Sequence, residues 1–350
     1  MENVKIALWG FGAMGSGIAR LLLEKQGVEI VSVCGRSRNV GRDMYDVLGV
    51  DRAARPPIVI ANDPEKAFPA GCADVILQTT DSFMKGAFEK VEFSIAQGLN
   101  VISIAEEMTY PWAQHPQLAE EMDRLARDAR VSVLATGINP GFVMDLLILA
   151  LTGTCERVDH ISAKRVNDLS PFGRSVMAEQ GVGLSQEEFQ TRVADGSITG
   201  HVGFPESIRM IADGIGWTSE RVEQSREEIL TTVDRATEHI QVSAGRVAGC
   251  RQKGFGYVDG HRRIALEHPQ QIRPELAHVE TGDYITIEGV PNISLQIKPE
   301  IPGGIGTIAM AVNMIPHVIN AGPGLKTMLD LPVPRAIMGD MRNLIDREGK

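Results

Sequence analysis

The stretch IALWGFGAMGSGIARLL, residues 6–22, opens as an apolar run, halts at Gly10, Gly12 and Gly15, and resumes with helical periodicity. A nearly continuous apolar run ending in glycine is what a strand buried on both faces requires. The glycine spacing has a chemical reason. Gly10 permits a tight turn, Gly12 lets the backbone approach a pyrophosphate, and Gly15 lets the next helix pack closely on the strand. The start of that helix offers N–H groups and a partial positive charge to phosphates. Gly10, Phe11, Gly12, Ala13, Met14 and Gly15 are therefore expected to form a dinucleotide cradle.

Outward from this corner, strand-like segments at 28–35, 57–62, 73–80, 100–107 and 131–137 alternate with helical ones at 15–26, 83–98 and 115–130. Such alternation predicts an α/β fold, a Rossmann-type doubly wound parallel sheet. The pattern changes after residue 137. A helix starting near Phe142 is expected to leave the sheet. Strands follow at 157–166, 239–249, 254–266 and 283–298, with helices near 185–195 and 203–232. That order predicts a second α+β domain on a mixed or antiparallel sheet. The segment 307–324 reads as one helix packing back on the first domain. The expected division is 1–140 for the dinucleotide, 141–305 for substrate and dimerisation, and 306–350 for C-terminal helices.

The 350 residues suffice for two cores, and 43% hydrophobic with 23% charged residues is ordinary for a globular protein. A formal charge of −10 argues against nucleic acid as a partner. No run approaches the roughly 18 apolar residues of a membrane span. The four cysteines, Cys34, Cys72, Cys155 and Cys250, are scattered without metal spacing, so no metal is expected. With no leader pattern at the start, a cytoplasmic location is expected.

The second strand bears on the type of nucleotide. An NAD site usually places Asp or Glu there to bond the ribose hydroxyls. Here the strand ends in Cys34-Gly35-Arg36-Ser37-Arg38, with no carboxylate before Asp43. Arg36, Ser37 and Arg38 suit a 2′-phosphate, so NADP is the preferred cofactor, with NAD also used. Three later loops should border the substrate. They carry Thr79 and Thr80, Glu106 and Glu107, and Asn139 and Pro140. A carboxylate beside the nicotinamide can hold a substrate ammonium and take its proton. In an extended segment only one of Glu106 and Glu107 would face the pocket, and the spacing leaves open which. Asn139 can meet the nicotinamide carboxamide. In the second domain, Arg165 or Arg174 could clamp a substrate carboxylate, with Asn167 nearby. His201, His261 and His317 stand isolated in the sequence, as structural histidines do.

Together WGFGAMGSGIAR, NVISIAEEMTYPW, ATGINPGFVMDLLIL, the NDLSPFG turn and TIAMAVNMIPHVINAGPGL resemble the 2,4-diaminopentanoate dehydrogenase family over residues 4 to about 335. Native amine dehydrogenases are relatives of that family, and its N-terminal domain is similar to that of dihydrodipicolinate reductase. The His- and Lys-rich motif of those reductases is missing here. The resemblance implies reversible oxidative deamination of 2,4-diaminopentanoate at C4, giving 2-amino-4-oxopentanoate, ammonia and NAD(P)H in ornithine degradation. It also implies a homodimer and a catalytic glutamate after the NVISIA strand, which is Glu106 or Glu107 here. A dihydropyridine or imine reductase, or a non-catalytic NADP(H) sensor, is the alternative that the same cradle would serve.

Overall fold

The computed structural model describes residues 1–36 and 39–346, so Ser37 and Arg38 of the expected phosphate site lie outside the described residues. The chain divides into two compact units, 1–142 together with 303–350, and 143–302. Unit 1 begins β1 (Val4–Trp9), α1 (Ala13–Leu23), β2 (Val28–Cys34), α2 (Met44–Leu48) and α3 (Pro64–Ala67). It continues β3 (Val75–Gln78), α4 (Met84–Ala96), β4 (Asn100–Ser103), α5 (Pro116–Asp128) and β5 (Ser132–Ala135). Unit 2 contains α6 (Leu146–Thr152), β6 (Arg157–Asp168), α7 (Arg174–Glu179), α8 (Gln186–Ala194), α9 (Phe204–Gly214) and β7 (Arg221–Leu230). After the short pair β8 (Arg235–Ala236) and β9 (Gln241–Val242) come β10 (Val247–Val258), β11 (His261–Gln271), β12 (Gly282–Val290) and β13 (Ile293–Ile297). The chain then returns to unit 1 with α10 (Gly303–Asn313), α11 (Ile315–Asn320) and β14 (Gly324–Lys326).

Unit 1 is built on a parallel sheet in the order β14-β5-β4-β3-β1-β2. The register explains why these strands read as apolar runs. Ala7, Ile76, Val101 and Val133 stand side by side and form one face of the core with Met84, Val91 and Ile95 of α4 and Met122 and Ala126 of α5. Leu8, Leu77, Ile102 and Leu134 line up one position on, and are buried on the other face. Strand order reverses between β1 and β3, and in such a sheet ligands bind beyond the carboxyl ends of the strands at that crevice. No helix among the described residues is long and apolar enough to cross a membrane.

Unit 2 carries a mixed sheet in the order β13-β12-β6-β11-β10-β7, in which β6 and β11 are parallel and the other pairs antiparallel. Helix α9 packs on it. Where Gly254 and Gly256 of β10 lack side chains, Phe204 and Ile208 of α9 come close enough that an added Cβ would lie 2.6 Å from either.

Several expected elements differ. Residues 57–62 form only the isolated bridges Cys34↔Ala61 and Asp43↔Val59, because the chain turns away after touching β2. The segment 203–232 is not one helix. Helix α9 stops at Gly214, Gly216 takes a positive φ of 79°, and the alternating RVEQSREEIL becomes β7. Residues 307–324 divide likewise, since Pro316 has no N–H to continue the ladder of α10, and Gly324 opens β14 instead of ending a helix. The exit helix starts at Leu146 rather than near Phe142, capped by the Asp145 carboxylate, which accepts from Leu146 N at 2.6 Å.

Candidate active site

The glycine corner in unit 1 divides its labour as the spacing predicts. Gly10 has φ 107°, and a Cβ there would fall 2.4 Å from Thr79 Oγ1. A Cβ on Gly15 would fall 2.0 Å from the Gly10 carbonyl oxygen. Gly12 alone has open space where its side chain would be. It is also the N-cap of α1, with no side-chain capping bond and no acidic residue in the first turn. The first N–H groups of a helix have no acceptor within it. Helix α1 thus presents uncapped donors and a positive dipole end beside an open cradle, which fits a pyrophosphate. Ala13 is exposed, Met14 half-buried, and Phe11 buried, its Cβ lying 3.4 Å from where a Cβ on Gly35 would sit. Phe11 therefore shapes the turn from within.

Arg36 is exposed just past β2. The first carboxylate after it, Asp43, is already committed. Its Oδ1 accepts from Tyr45 N at 3.1 Å and Ile58 N at 3.3 Å, while Arg52 lies 3.6 Å from Oδ2. Thr79 donates to the Gly10 carbonyl at 3.2 Å and so ties the β3 loop to the cradle. Thr80 is exposed and donates to Asp81 at 3.1 Å. Asp81 also pairs with Lys90 of α4.

The carboxylate pair does not lie on extended chain. Strand β4 ends at Ser103, and Glu106–Met108 form a 3₁₀ turn. This corrects the expectation that strand alternation would sort the two side chains. The turn is held by Met108 N donating to the Ala105 carbonyl at 3.0 Å and by Thr109 Oγ1 donating to the Glu106 carbonyl at 2.7 Å. After β5, Asn139-Pro140 is a cis peptide bond, and Gly141 takes φ 123° in a turn so tight that a Cβ would lie 2.5 Å from Gly137 N. Both polar atoms of the Asn139 amide are buried with no hydrogen-bond partner among the described residues. A buried, unpaired amide is costly. A carboxamide-bearing ligand would satisfy it.

Unit 2 separates the two candidate arginines. Arg165 on β6 is 2% exposed and already paired, donating to Asp283 Oδ1 and to the Ile301 carbonyl, each at 2.5 Å. Asp283 Oδ2 accepts from Ile301 N at 3.0 Å, completing a buried ion pair. Arg174 is exposed, donates to the His239 carbonyl at 3.1 Å, and borders a shallow cavity of about 390 Å³ with Met177, Val182 and Ile240. Asn167, two residues after Arg165, has its Oδ1 3.1 Å from Nε2 of His268.

His268 and its neighbour His201 are the residues that the sequence did not single out as a site. Their rings meet edge to face at 4.8 Å. Gln252 holds the His201 backbone from both sides, accepting from its N–H at 2.7 Å and donating to its carbonyl at 2.9 Å. Burial first, then the positive charges of Arg165 and Arg226, push the His201 pKa down to about 3. Burial, His201 and Arg165 push His268 well below the usual histidine range. Both rings are therefore neutral. His201 Nε2 and His268 Nδ1 are buried with no partner among the described residues. Sixty-odd residues apart, the two histidines leave no spacing signal. The register of β11 against β6 sets His268 beside Asn167, while Gln252 of β10 holds the His201 backbone.

Residues 142–347 match the family described as the 2,4-diaminopentanoate dehydrogenase C-terminal domain. Over its full length the chain is 56% identical to 2,4-diaminopentanoate dehydrogenase of Acetoanaerobium sticklandii, covering 99% of that protein. It is 26% identical to an amine dehydrogenase of Streptomyces virginiae, covering 95% of this chain and 98% of that one. The structure of amine dehydrogenase from Mycobacterium smegmatis superposes with a TM-score of 0.85 at 26% identity, covering 97% and 98% of the two chains. Since the likeness runs through the glycine corner, the glutamate turn and the second sheet alike, the chain belongs to the 2,4-diaminopentanoate dehydrogenase family.

Proposed function

We propose that this protein is an NAD(P)-dependent amine dehydrogenase that removes the C4 amino group of 2,4-diaminopentanoate, leaving 2-amino-4-oxopentanoate and ammonia as a step of ornithine degradation. The observation that carries the reading is the placement of three features on the same edge of the parallel sheet. The open glycine cradle follows β1, the Glu106 turn follows β4, and the unpaired Asn139 amide follows β5. The 56% identity to a 2,4-diaminopentanoate dehydrogenase supports the substrate class.

The residues fit a nicotinamide dinucleotide. Gly10 to Gly15 would hold its pyrophosphate, Thr79 and Thr80 would border it, and Asn139 would hold its carboxamide. Exposed Arg36, with no free carboxylate close behind it, favours a 2′-phosphate and hence NADP over NAD. When bound, the cofactor supplies the hydride acceptor for the carbon bearing the amine. Glu106 takes the ammonium proton, which frees the nitrogen lone pair to push hydride from that carbon. Once water has added to the oxidised carbon, the same carboxyl can return its proton to the departing ammonia. In unit 2, Asn167, His201 and His268 form a buried polar cluster in which His201 Nε2 and His268 Nδ1 have no partner among the described residues. The reaction in reverse is a reductive amination of the amino ketone, and the family likeness implies a homodimer.

The test is NADPH formation from NADP with 2,4-diaminopentanoate, beside simple amines and beside NAD. Turnover with the diamino acid, and a fall of about 10²–10⁴-fold in kcat for Glu106→Gln, is expected. Tight NADPH binding without turnover of any amine, in either direction, would sink the reading and favour a sensor.

A further inference from the structure

Glu107 follows Glu106 directly, and its carboxylate ties two other segments together. Its Oε2 accepts from Met84 N, the first residue of α4, at 2.8 Å. The same oxygen lies 3.1 Å from Nε2 of His115, which must carry the proton because an ionised carboxylate only accepts. The Glu107 backbone N–H donates to the Ser82 carbonyl at 3.2 Å. Phe83, the N-cap of α4, offers no side-chain capping bond, so Glu107 supplies that helix with its cap from another loop. The side chain is 13% exposed and His115 20%.

Three segments thus meet on one carboxylate: the Ser82–Met84 end of the β3 loop, the 3₁₀ turn after β4, and the approach to α5. We propose that Glu107 is a positioning residue, which fixes the turn carrying Glu106 against the β3 loop, with His115 holding the tether in place. The assignment rests on the reading of Glu106 as the proton acceptor and goes beyond it. Both contacts converge on one oxygen, Oε2, so the Glu107 side chain is held in a fixed direction by the start of α4 and by His115. A carboxylate engaged in this way orients its neighbour and leaves the proton transfer to it. Misplacing a catalytic group by about 1 Å can cost 10²-fold in rate.

The experiment compares Glu107→Ala, Glu107→Gln and Glu106→Gln, with amide hydrogen exchange over residues 82–86 and 104–110 read beside kinetics. Glutamine keeps an oxygen that can accept from Met84 N and His115. The expected result is faster exchange of both segments in Glu107→Ala. Its kcat should fall about 10²-fold, with KM changed much less. Glu107→Gln should restore protection and bring kcat back to within about fivefold, whereas Glu106→Gln should keep wild-type exchange and lose about 10²–10⁴-fold. Unchanged exchange in Glu107→Ala would overturn the tether whatever the activity. A dead Glu107→Gln beside an active Glu106→Gln would overturn it too and make Glu107 the proton acceptor. A wild type that oxidises no amine would overturn the functional reading, and Glu107's role with it, through kinetics alone rather than through exchange.

Discussion

At the scale of single residues, chemistry and burial separate side chains that the sequence could only group. NVISIAEE showed that a carboxylate follows β4, but not which one is engaged. The partners of Glu107, Met84 and His115, come from 23 residues upstream and 8 downstream, so no local spacing marks them. The two histidines were less legible still, because neither has a sequence neighbour that marks it. They have a measurable consequence. Both are held neutral in the fold, with pKa values below the unfolded value of about 6.5. Below that pH the unfolded chain takes up protons that the folded chain refuses, so stability is full above about 6.5 and falls as pH falls. Each ring can contribute up to about 1.4 kcal/mol per pH unit. The melting temperature should therefore drop between pH 7 and pH 5, and His268→Gln should flatten that slope. An equal slope in the variant would show that carboxylates alone set the acid limit.

At the scale of elements, the glycine corner was fully legible, because its spacing answers to local sterics that do not depend on the rest of the chain. The misread segments are those where a long-range partner decides. Val59 and Ala61 find only single bridges where a strand was expected, and Gly324–Lys326 becomes a strand because β5 offers it an edge. The glycines allow a prediction that separates folding from binding. Gly12→Ala places its methyl in open space, so the apo protein should keep its stability to within about 0.5 kcal/mol. The same methyl would stand where a phosphate must approach, and affinity for NADPH, measured by fluorescence titration, should fall at least about tenfold. Gly15→Ala should behave in the opposite order. Its methyl would meet the Gly10 carbonyl oxygen, so overpacking should cost about 1–3 kcal/mol in denaturant unfolding before any ligand is added. If Gly12→Ala unfolds easily and still binds NADPH tightly, the cradle lies elsewhere.

At the scale of the whole molecule, alternation of strands and helices announced the parallel sheet, and the change of rhythm after residue 137 announced the second unit. The sequence places 306–350 back on the first domain as helices, and unit 1 comprises 1–142 together with 303–350. What the sequence leaves unseen is that the returning stretch also adds a strand, β14, to the sheet. Strand β14 pairs Leu325 with Val133 of β5, and Ile308 of α10 comes so near Gly17 of α1 that an added Cβ would lie 2.3 Å from it. Truncation should expose the difference. Residues 143–302 made alone should fold with strand-rich circular dichroism and a cooperative melt, whereas 1–142 alone should melt without cooperativity and aggregate. A cooperative 1–142 would show that the returning segment is dispensable. During synthesis, residues 143–302 can settle while the ribosome is still at work, but the nucleotide-holding sheet must wait, with the edge of β5 and the back of α1 uncovered, until the stretch from Gly303 onward emerges. For that interval the newborn chain depends on whatever shields nascent polypeptides from one another.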